Sequence, residues 1–449
     1  MQSDTLLEFD PEQVFSLVRK AGASADLLIE GQEQLNLKVK DTKLESKKVS
    51  ATRIFGLRII KDGRVGIAYS EAADPSSLVH LVDQGLVNAR YGELDPLQQI
   101  QTLVSQPVSA QNHSFELAPS RESTSVAALL ECLQSLEQRL LAQAHLVSVP
   151  YNGISQTRVA RRIIASSGLD LTTSHQSYGL FAAGLAKRDT QSSMCSFGQV
   201  SRQFDGLNPA VISNRIALEA QDLLDGKPIA NTRIDVVLQV EVLESLLQAF
   251  AVMLSGKAAQ DKINPWRDHV NTIVASEHLT LVDQPQLAGM GQTPFDDEGG
   301  ATRAVTHIAA GELQTLAHNS ATAQALNAQP TAQAQRSSRS ALGTGLHQMT
   351  ILPGPLPHGQ LLAGRVFEVI QVQGMHSGSN GLTGDFSFAA SGYLWQDGKR
   401  VQVVKGVTLA GNFYQALHDI EVADQQSWSW QGSALLAQVR FKNVSLAGI

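Results

Sequence analysis

The sequence has few cysteines and no excess of basic residues. Cys132 and Cys195 are its only cysteines and lie far apart, in no metal-binding spacing, which favours a reduced, intracellular compartment. The 35 Lys and Arg residues against 42 Asp and Glu give a net charge of −7. Basic residues that do cluster, such as Arg161 and Arg162, form pairs and not stripes. We therefore expect no nucleic-acid-binding surface.

Long apolar runs are also missing. No run approaches the roughly 20 residues that a membrane-spanning helix needs. The N-terminal sequence MQSDTLLEFDPEQ lacks the charged and apolar regions of a signal peptide. We therefore expect a soluble, cytoplasmic protein without a membrane partner. The nucleophile elbow G-x-S-x-G, the P-loop and the dinucleotide fingerprint do not occur either, and their absence argues against those hydrolase and nucleotide-binding classes.

Strand and helix signals are mixed along the chain, and its 449 residues exceed one typical hydrophobic core. A hairpin is predicted at residues 53–69, with its turn at Lys61-Asp62-Gly63-Arg64. Helices are predicted at about residues 75–91 and 124–144. We predict an α+β fold with three parts: an N-terminal α+β domain (1–118), a middle α+β domain (119–228) and a larger β-rich C-terminal domain (229–449).

Residues 317–345 have an unusual composition. They are rich in Ala, Gln, Ser and Thr and include Arg336 and Arg339. Because such a segment buries little apolar surface, we predict a mobile surface loop there.

Four short motifs follow one another in the second half of the chain. The central one, VFEVIQVQGMHSGSNGLTGDFSFAASGYLW (366–395), combines a β-rich run, a glycine-rich loop and a strand with alternating aromatics. FDDEG (295–299) precedes it, and WQDGKR (395–400) and GVTLAGN (406–412) follow. In this order the motifs resemble the C-terminal half of the TldD/PmbA family, once called gyrase modulators and now regarded as proteases. The resemblance begins near RIIKDGRVGIAYS (58–70) and covers most of the chain.

The resemblance draws attention to a helix predicted at Glu241–Leu254. In the metal-bearing half of the family, the equivalent helix carries His-Glu-x-x-x-His, and its metal is catalytic zinc. Here Gln248, Ala249 and Met253 stand at the three functional positions. Since zinc takes His, Cys or carboxylate ligands, the chain resembles the metal-free, PmbA-type half. We expect no metal site and no cofactor.

Asp296, Asp297 and Glu298 form an acidic cluster that suggests acid–base chemistry. Adjacent carboxylates can share a proton or attract a cation. The alternative is a turn, because Pro294 precedes the cluster, Gly299 follows it and Asp readily caps turns. Both halves of the family share this motif, which implies a structural or peptide-lining role, and we favour the turn.

His376, Asp385 and Ser387 lie in the glycine-rich motif and as a set suggest a hydrolase triad. However, triad members normally come from separate elements, and Asp385 and Ser387 share one face of one strand. We favour a binding role, in which glycine backbone and a strand edge hold an extended peptide by β-addition.

Two functions are open. In the first, the chain is the non-catalytic PmbA/TldE-type subunit of a cytosolic TldD/TldE metalloprotease acting on small or unfolded polypeptides, and a TldD-like partner subunit supplies the zinc. In the second, it is a stand-alone homodimeric peptide-binding or scaffold protein without proteolytic activity. The first is favoured because the other motifs of the family are present, whereas the residues at the zinc-motif positions do not bind zinc.

Overall fold

The computed structural model describes residues 7–101, 113–117 and 124–448. The α-helices with described bounds are α1 (Glu12–Lys20), α2 (Pro75–Tyr91), α3 (Val126–Leu141), α4 (Pro209–Asp222), α5 (Val240–Ala249), α6 (Gly256–Gln260), α7 (Ser320–Ala325) and α8 (Phe413–Ala416). Short 3-10 turns lie at Phe204–Gly206, Ala251–Leu254, His358–Gln360, Leu417–Asp419 and Gln425–Ser427. Within the described ranges, no helix has both the length and the apolarity to cross a membrane.

A mostly antiparallel sheet forms the N-terminal half of the fold. Its strands are β1 (Ser24–Lys40), β2 (Lys43–Lys61), β3 (Arg64–Ser70), β4 (His113–Leu117), β5 (Leu146–Ala165), β6 (Asp170–Arg188) and β7 (Gln191–Ser201). They are ordered β3-β2-β1-β5-β6-β4, and β7 also pairs with β6. Helices α1 and α2 share an apolar core with β1 and β2, whereas α3 and α4 share one with β5 and β6.

The strands of the two predicted N-terminal domains belong to this one sheet. β1 pairs with β5 from Asp26 opposite Ala165 to Leu37 opposite Ile154. Backbone pairing therefore joins residues on both sides of the boundary predicted at residue 118. The division into three domains stays a prediction.

The predicted hairpin is confirmed as β2 and β3. Its turn residues Asp62 and Gly63 have φ of 51° and 70°, the left-handed values that a two-residue hairpin turn requires. The helix predicted after Asp74 is α2, and the Asp74 carboxylate caps it by accepting a hydrogen bond from the Ser77 amide at 3.1 Å. Both elements follow from local turn and capping chemistry.

A β-barrel is the centre of the C-terminal half. Its strands are β8 (Thr232–Leu238), β15 (Arg365–Gln373), β16 (Asp385–Gln396), β17 (Lys399–Asn412), β18 (Glu421–Val422) and β21 (Val439–Ala447). The order is β17-β16-β15-β8-β21-β18, and pairing of β17 with β21 closes the sheet. Along β16, Phe386 and Phe388 are buried in the core while Asp385 and Ser387 are exposed, as the alternating pattern predicts.

A second sheet and a two-stranded ladder complete this half. The sheet contains β9 (Leu281–Asp283), β10 (Val305–Ala309), β11 (Glu312–Leu313), β14 (Met349–Ile351), β19 (Ser429–Gln431) and β20 (Ala434–Leu436), and the ladder contains β12 (Ala334–Gln335) and β13 (Gly343–Thr344). The α+β class and the β-rich C-terminal half are therefore confirmed.

The helix predicted at Glu241–Leu254 is shorter in the structure. α5 ends at Ala249, and residues 251–254 form a 3-10 turn. Phe250, at the junction, is fully buried and stacks on Phe413 with the ring centroids 4.5 Å apart. Apolar periodicity continues through both elements, so periodicity alone misplaced the end of the helix.

The prediction of a mobile surface loop at residues 317–345 is wrong. The segment contains α7 and the β12–β13 ladder, and His318, Asn319 and Thr322 are almost fully buried. Asn319 and Thr322 form a reciprocal capping box at the start of α7. Short polar side chains are buried here because hydrogen bonds satisfy them, and a count of apolar residues does not detect such an arrangement.

Candidate functional site

Of the three positions that the resemblance aligns with the zinc motif, Gln248 and Ala249 lie at the end of α5, and Met253 lies in the 3-10 turn that follows. Gln248 is exposed and donates a hydrogen bond to Glu244 one turn earlier. Ala249 is half-buried, and Met253 is 1% exposed within the C-terminal core. Zinc takes His, Cys or carboxylate ligands in proteins. The Gln248 amide, the Ala249 methyl group and the buried Met253 thioether are none of these. The residues present therefore do not fit a zinc ion.

A cavity of about 410 Å³ lies beside the end of α5 and is called the α5 cavity below. Its lining includes Glu244, Gln248 and His347. Nε2 of His347 lies 3.0 Å from the Ala332 carbonyl oxygen, and because a carbonyl can only accept, Nε2 is the donor of this hydrogen bond. Among the described residues, no group of three or more His, Cys, Asp or Glu side chains is arranged to hold a metal ion.

The acidic cluster forms a tight turn. The Asp296 amide donates to the Gly300 carbonyl at 2.9 Å, and the Gly299 amide, at φ 86°, donates to the Asp296 carbonyl at 2.9 Å. The Asp296 carboxylate accepts hydrogen bonds from the backbone amides of Glu298, Gly300 and Ala334 at 2.8–3.0 Å. Burial, and then the Glu298 carboxylate, raise the pKa of Asp296 to about 8.

The other two carboxylates of the turn hold the segment that was predicted to be mobile. Asp297 accepts a hydrogen bond from the Arg336 amide at 2.7 Å and pairs with the Arg161 guanidinium at 3.0 Å. Glu298 accepts from the Ser320 amide at 2.9 Å and from its hydroxyl at 2.6 Å. All three carboxylates are thus buried acceptors, and these contacts favour the turn over an acid–base role.

A buried ion triad that the sequence analysis missed joins this segment to the N-terminal sheet. Asp26 lies between Arg58 and Arg336, and all three side chains are at most 5% exposed. Asp26 accepts from Nε of Arg58 at 2.9 Å and from Arg336 at 2.5 Å. The signal in the sequence was a charged residue with apolar neighbours in each of two strands, Asp26 in ADLLIE and Arg58 in RIFGLRII, since buried charges need partners.

Next to the acidic turn lies a second cavity, of about 480 Å³, called the arginine cavity below. Three guanidinium groups line it, from Arg161, Arg202 and Arg336, together with Asp297. It shares Gln335 and His347 with the α5 cavity. Residues of the acidic turn and of the end of α5 therefore border two neighbouring cavities.

His376, Asp385 and Ser387 are all exposed on the barrel. The Asp385 carboxylate accepts hydrogen bonds from Thr383 at 2.8 Å and from Asn412 at 3.0 Å. In the described part of the chain, no hydrogen bond or ion pair joins the three residues to one another or to the acidic turn. The structure therefore does not assemble them into a site.

No free strand edge for the predicted β-addition is found among the described residues at the start of β16, and a role of His376, Asp385 and Ser387 in lining a peptide site stays a prediction. The Ser387 amide donates to the Gly378 carbonyl at 2.7 Å, and the Asn380 amide donates to the Asp385 carbonyl at 2.8 Å. On its other side, Ser387 lies opposite Ala410 of β17. Both edges of this strand segment are occupied within the chain, so an added peptide strand has no free edge there.

Two descriptions of one protein family match the chain, one in each half. The family descriptions "PmbA/TldA metallopeptidase domain 1" and "PmbA/TldA metallopeptidase C-terminal domain" match residues 25–89 and 231–448. The chain is 22% identical over 449 residues to Metalloprotease PmbA homolog of Haemophilus influenzae, spanning 94% of this chain and 93% of that protein. It is 20% identical over 414 residues to Metalloprotease PmbA of Escherichia coli O157:H7, spanning 91% and 88%.

Solved structures share the whole fold. A proposed modulator of DNA gyrase from Thermotoga maritima superposes with a TM-score of 0.85 at 23% identity, covering 97% of this chain and 99% of that one. TldE from Thermococcus kodakarensis superposes with a TM-score of 0.82 at 20% identity, covering 97% and 100%. Together with the family matches, the resemblance predicted from the four motifs is confirmed: the chain is a PmbA/TldE-like member of the PmbA/TldD metallopeptidase family.

Proposed function

We propose that the chain is the non-catalytic subunit of a cytosolic two-subunit metalloprotease that acts on small or unfolded polypeptides. One feature supports the proposal: the resemblance places Gln248, Ala249 and Met253, none of which binds zinc, at the zinc-motif positions of a chain that has the family fold. In the proposed complex, zinc belongs to a TldD-like partner subunit, where it lowers the pKa of a bound water to about 7.

The part of this chain in the reaction is then to shape the space in which the peptide lies. The α5 cavity and the arginine cavity border each other through Gln335 and His347. Polar side chains in both linings suit an extended peptide, whose main chain carries a donor and an acceptor on nearly every residue. The acidic turn supports this lining from behind, because Asp296 and Asp297 hold the amides of Ala334 and Arg336.

Reconstitution with a TldD-like partner tests the proposal. The two purified chains should elute together in size-exclusion chromatography, and the mixture should digest casein in a chelator-sensitive manner. Replacing the glutamate of the partner's His-Glu-x-x-x-His motif by glutamine should abolish digestion. Glu71→Gln of this chain, at an exposed carboxylate, is the matched control and should leave digestion unchanged.

The metal content of the separate chains gives a second measurement. After dialysis, elemental analysis should find zinc in the partner and no stoichiometric zinc in this chain. One zinc per copy of this chain contradicts the proposal. If the chain forms only a homodimer and no complex with the partner, the alternative of a stand-alone peptide-binding protein replaces it.

A further inference from the structure

The arginine cavity has an unusual concentration of positive charge. Arg161, Arg202 and Arg336 line it, while the one carboxylate in its lining is Asp297. That carboxylate is already engaged by the Arg161 guanidinium at 3.0 Å and the Arg336 amide at 2.7 Å. Outside the lining, Arg161 also pairs with Glu30 at 3.2 Å and Arg336 pairs with Asp26, so the charge of Arg202 is the one to consider.

Arg202 differs from the other two arginines because its hydrogen bonds go to backbone carbonyl groups. Its Nη2 donates to the Met290 carbonyl at 2.8 Å, and Nε and Nη2 lie 3.4 Å from the Gly289 carbonyl. No ion pair of the described residues includes Arg202, and its Nη1 is buried without an acceptor. Burial lowers the pKa of Arg202. Nη1 of this partly buried cation is therefore a donor that no acceptor of the described chain satisfies, and such a donor is costly in a folded protein.

Two further groups in the same cavity support this picture. The Arg336 side chain is 2% exposed, and its Nε also has no hydrogen-bond acceptor. His175, another lining residue, has its pKa lowered to about 4, first by burial and then by the charges of Arg202 and Arg161. The imidazole is therefore neutral near pH 7, and the surrounding field is positive.

An apolar surface lies directly beside Arg202. A neighbouring cavity of about 360 Å³ shares Arg202, Met290 and Gln292 with the arginine cavity. It is also lined by Val200 and Trp430, whose side chains are 57% and 43% exposed. A carboxylate receptor next to an exposed apolar surface matches the last residue of a peptide, in which a carboxylate and a side chain leave the same carbon.

We propose that the arginine cavity binds the carboxylate of a peptide through Arg202, with an adjacent apolar side chain packed against Trp430. The C-terminal carboxylate is the source that this geometry favours, and an Asp or Glu side chain offers the same chemistry. The inference deepens the proposed peptide-handling function. Its test needs neither zinc nor a partner subunit, so it can fail independently of the subunit proposal.

Fluorescence anisotropy with N-terminally labelled peptides tests the site on the full-length chain. Three peptides of one otherwise neutral sequence are compared: one with a C-terminal leucine as the free acid, the same peptide as the C-terminal amide, and an amidated peptide with one internal aspartate. The free acid should bind at least about ten-fold more tightly than the amide, which is the effect of one hydrogen bond to a charged group. Equal binding of free acid and amide overturns the proposal.

Substitution of Arg202 locates the site. Arg202→Gln should remove the preference for the free acid, whereas Arg202→Lys should retain part of it. Arg303→Gln is the matched control, because Arg303 is an exposed arginine that donates to a backbone carbonyl, that of Pro330. An acid preference that survives Arg202→Gln overturns the proposal. If the aspartate peptide binds as tightly as the free acid and depends on Arg202, the carboxylate site is supported and its source is the acidic side chain.

The wild-type chain provides a readout that needs no variant. A carboxylate bound beside Arg202 partly neutralises the charge that disfavours protonation of His175. The pKa of His175, followed by NMR, should therefore rise on addition of the free-acid peptide and stay constant with the amide. No difference between the two peptides contradicts the inference.

Discussion

Replacing Asp26 by asparagine tests the ion triad that joins the C-terminal segment to the N-terminal sheet. Asp26 is 3% exposed and accepts hydrogen bonds from Arg58 at 2.9 Å and from Arg336 at 2.5 Å. Asparagine removes the negative charge, while both guanidinium groups stay charged and buried. Removal of one partner of a buried ion pair typically costs about 3–5 kcal/mol. We expect a loss of that size for Asp26→Asn.

Equilibrium unfolding in urea measures the effect, because urea leaves ion pairs unscreened. Glu71→Gln is the matched control: it breaks the Arg339–Glu71 pair, whose side chains are 49% and 68% exposed. Exposed pairs contribute about 0–1 kcal/mol, so this control should unfold almost as the wild type does. If Asp26→Asn costs no more than Glu71→Gln, the reasoning about the triad is refuted.

The same triad predicts a dependence on acid. Burial alone would raise the pKa of Asp26, but Arg336 and Arg58 outweigh burial and hold that pKa below its usual 3.8. A lowered folded-state pKa stabilises the protein above the unfolded-state value, and this contribution is lost as the pH falls through the folded-state value. The stability advantage of the wild type over Asp26→Asn should therefore shrink below about pH 4. A constant advantage throughout acid unfolding contradicts the assigned charges.

Two further predictions concern the acidic turn and the segment that it holds. Limited proteolysis should spare residues 317–345, since α7 and the β12–β13 ladder order them, and fragment masses that place the first cut there contradict the fold. Asp296 has its pKa raised from 3.8 to about 8 by burial and by Glu298, so the folded chain binds a proton that the unfolded chain has released. The free energy of unfolding, measured in urea, should therefore decrease as the pH rises from about 4 to about 8. Asp296→Asn should make it less dependent on pH in this range. An unchanged pH dependence in the variant excludes Asp296 as its source.

Elements governed by local chemistry could be predicted from the sequence. The Asp62-Gly63 turn and the Asp74 cap of α2 depend on residues within a few positions of each other, so the signal is complete in the local sequence. The end of α5 was misplaced because packing of Phe250 against Phe413, distant in sequence, decides the local conformation.

The environment of the acidic turn could not be predicted in the same way. The cluster was located, and its turn geometry is observed, but its partners Arg161, Ser320 and Arg336 come from other parts of the chain. Asp26 and Arg336 are 310 positions apart, and a single sequence does not show which distant residues form a pair. The low apolar content of residues 317–345 also led to the wrong prediction of a mobile loop, because burial there depends on hydrogen-bond partners and not on apolar content.

The pairing of the edges at the start of β16 could not be predicted from the sequence. Alternating aromatics correctly indicated a half-buried strand, with Phe386 and Phe388 inside and Asp385 and Ser387 outside. Periodicity gives the faces of a strand, but it does not show which edges are paired. The glycine-rich loop itself occupies the edge that a peptide would need.

The measurement that tests the central claim most directly is a digestion assay of the purified chain alone. Casein is incubated at neutral pH with the lone chain, with and without a metal chelator, and fragments are followed by mass spectrometry. Because Gln248, Ala249 and Met253 supply neither a zinc ligand nor a base, the account predicts no cleavage above background in either condition. Chelator-sensitive cleavage by the single chain contradicts it, since such cleavage requires a metal centre built from this chain's own residues.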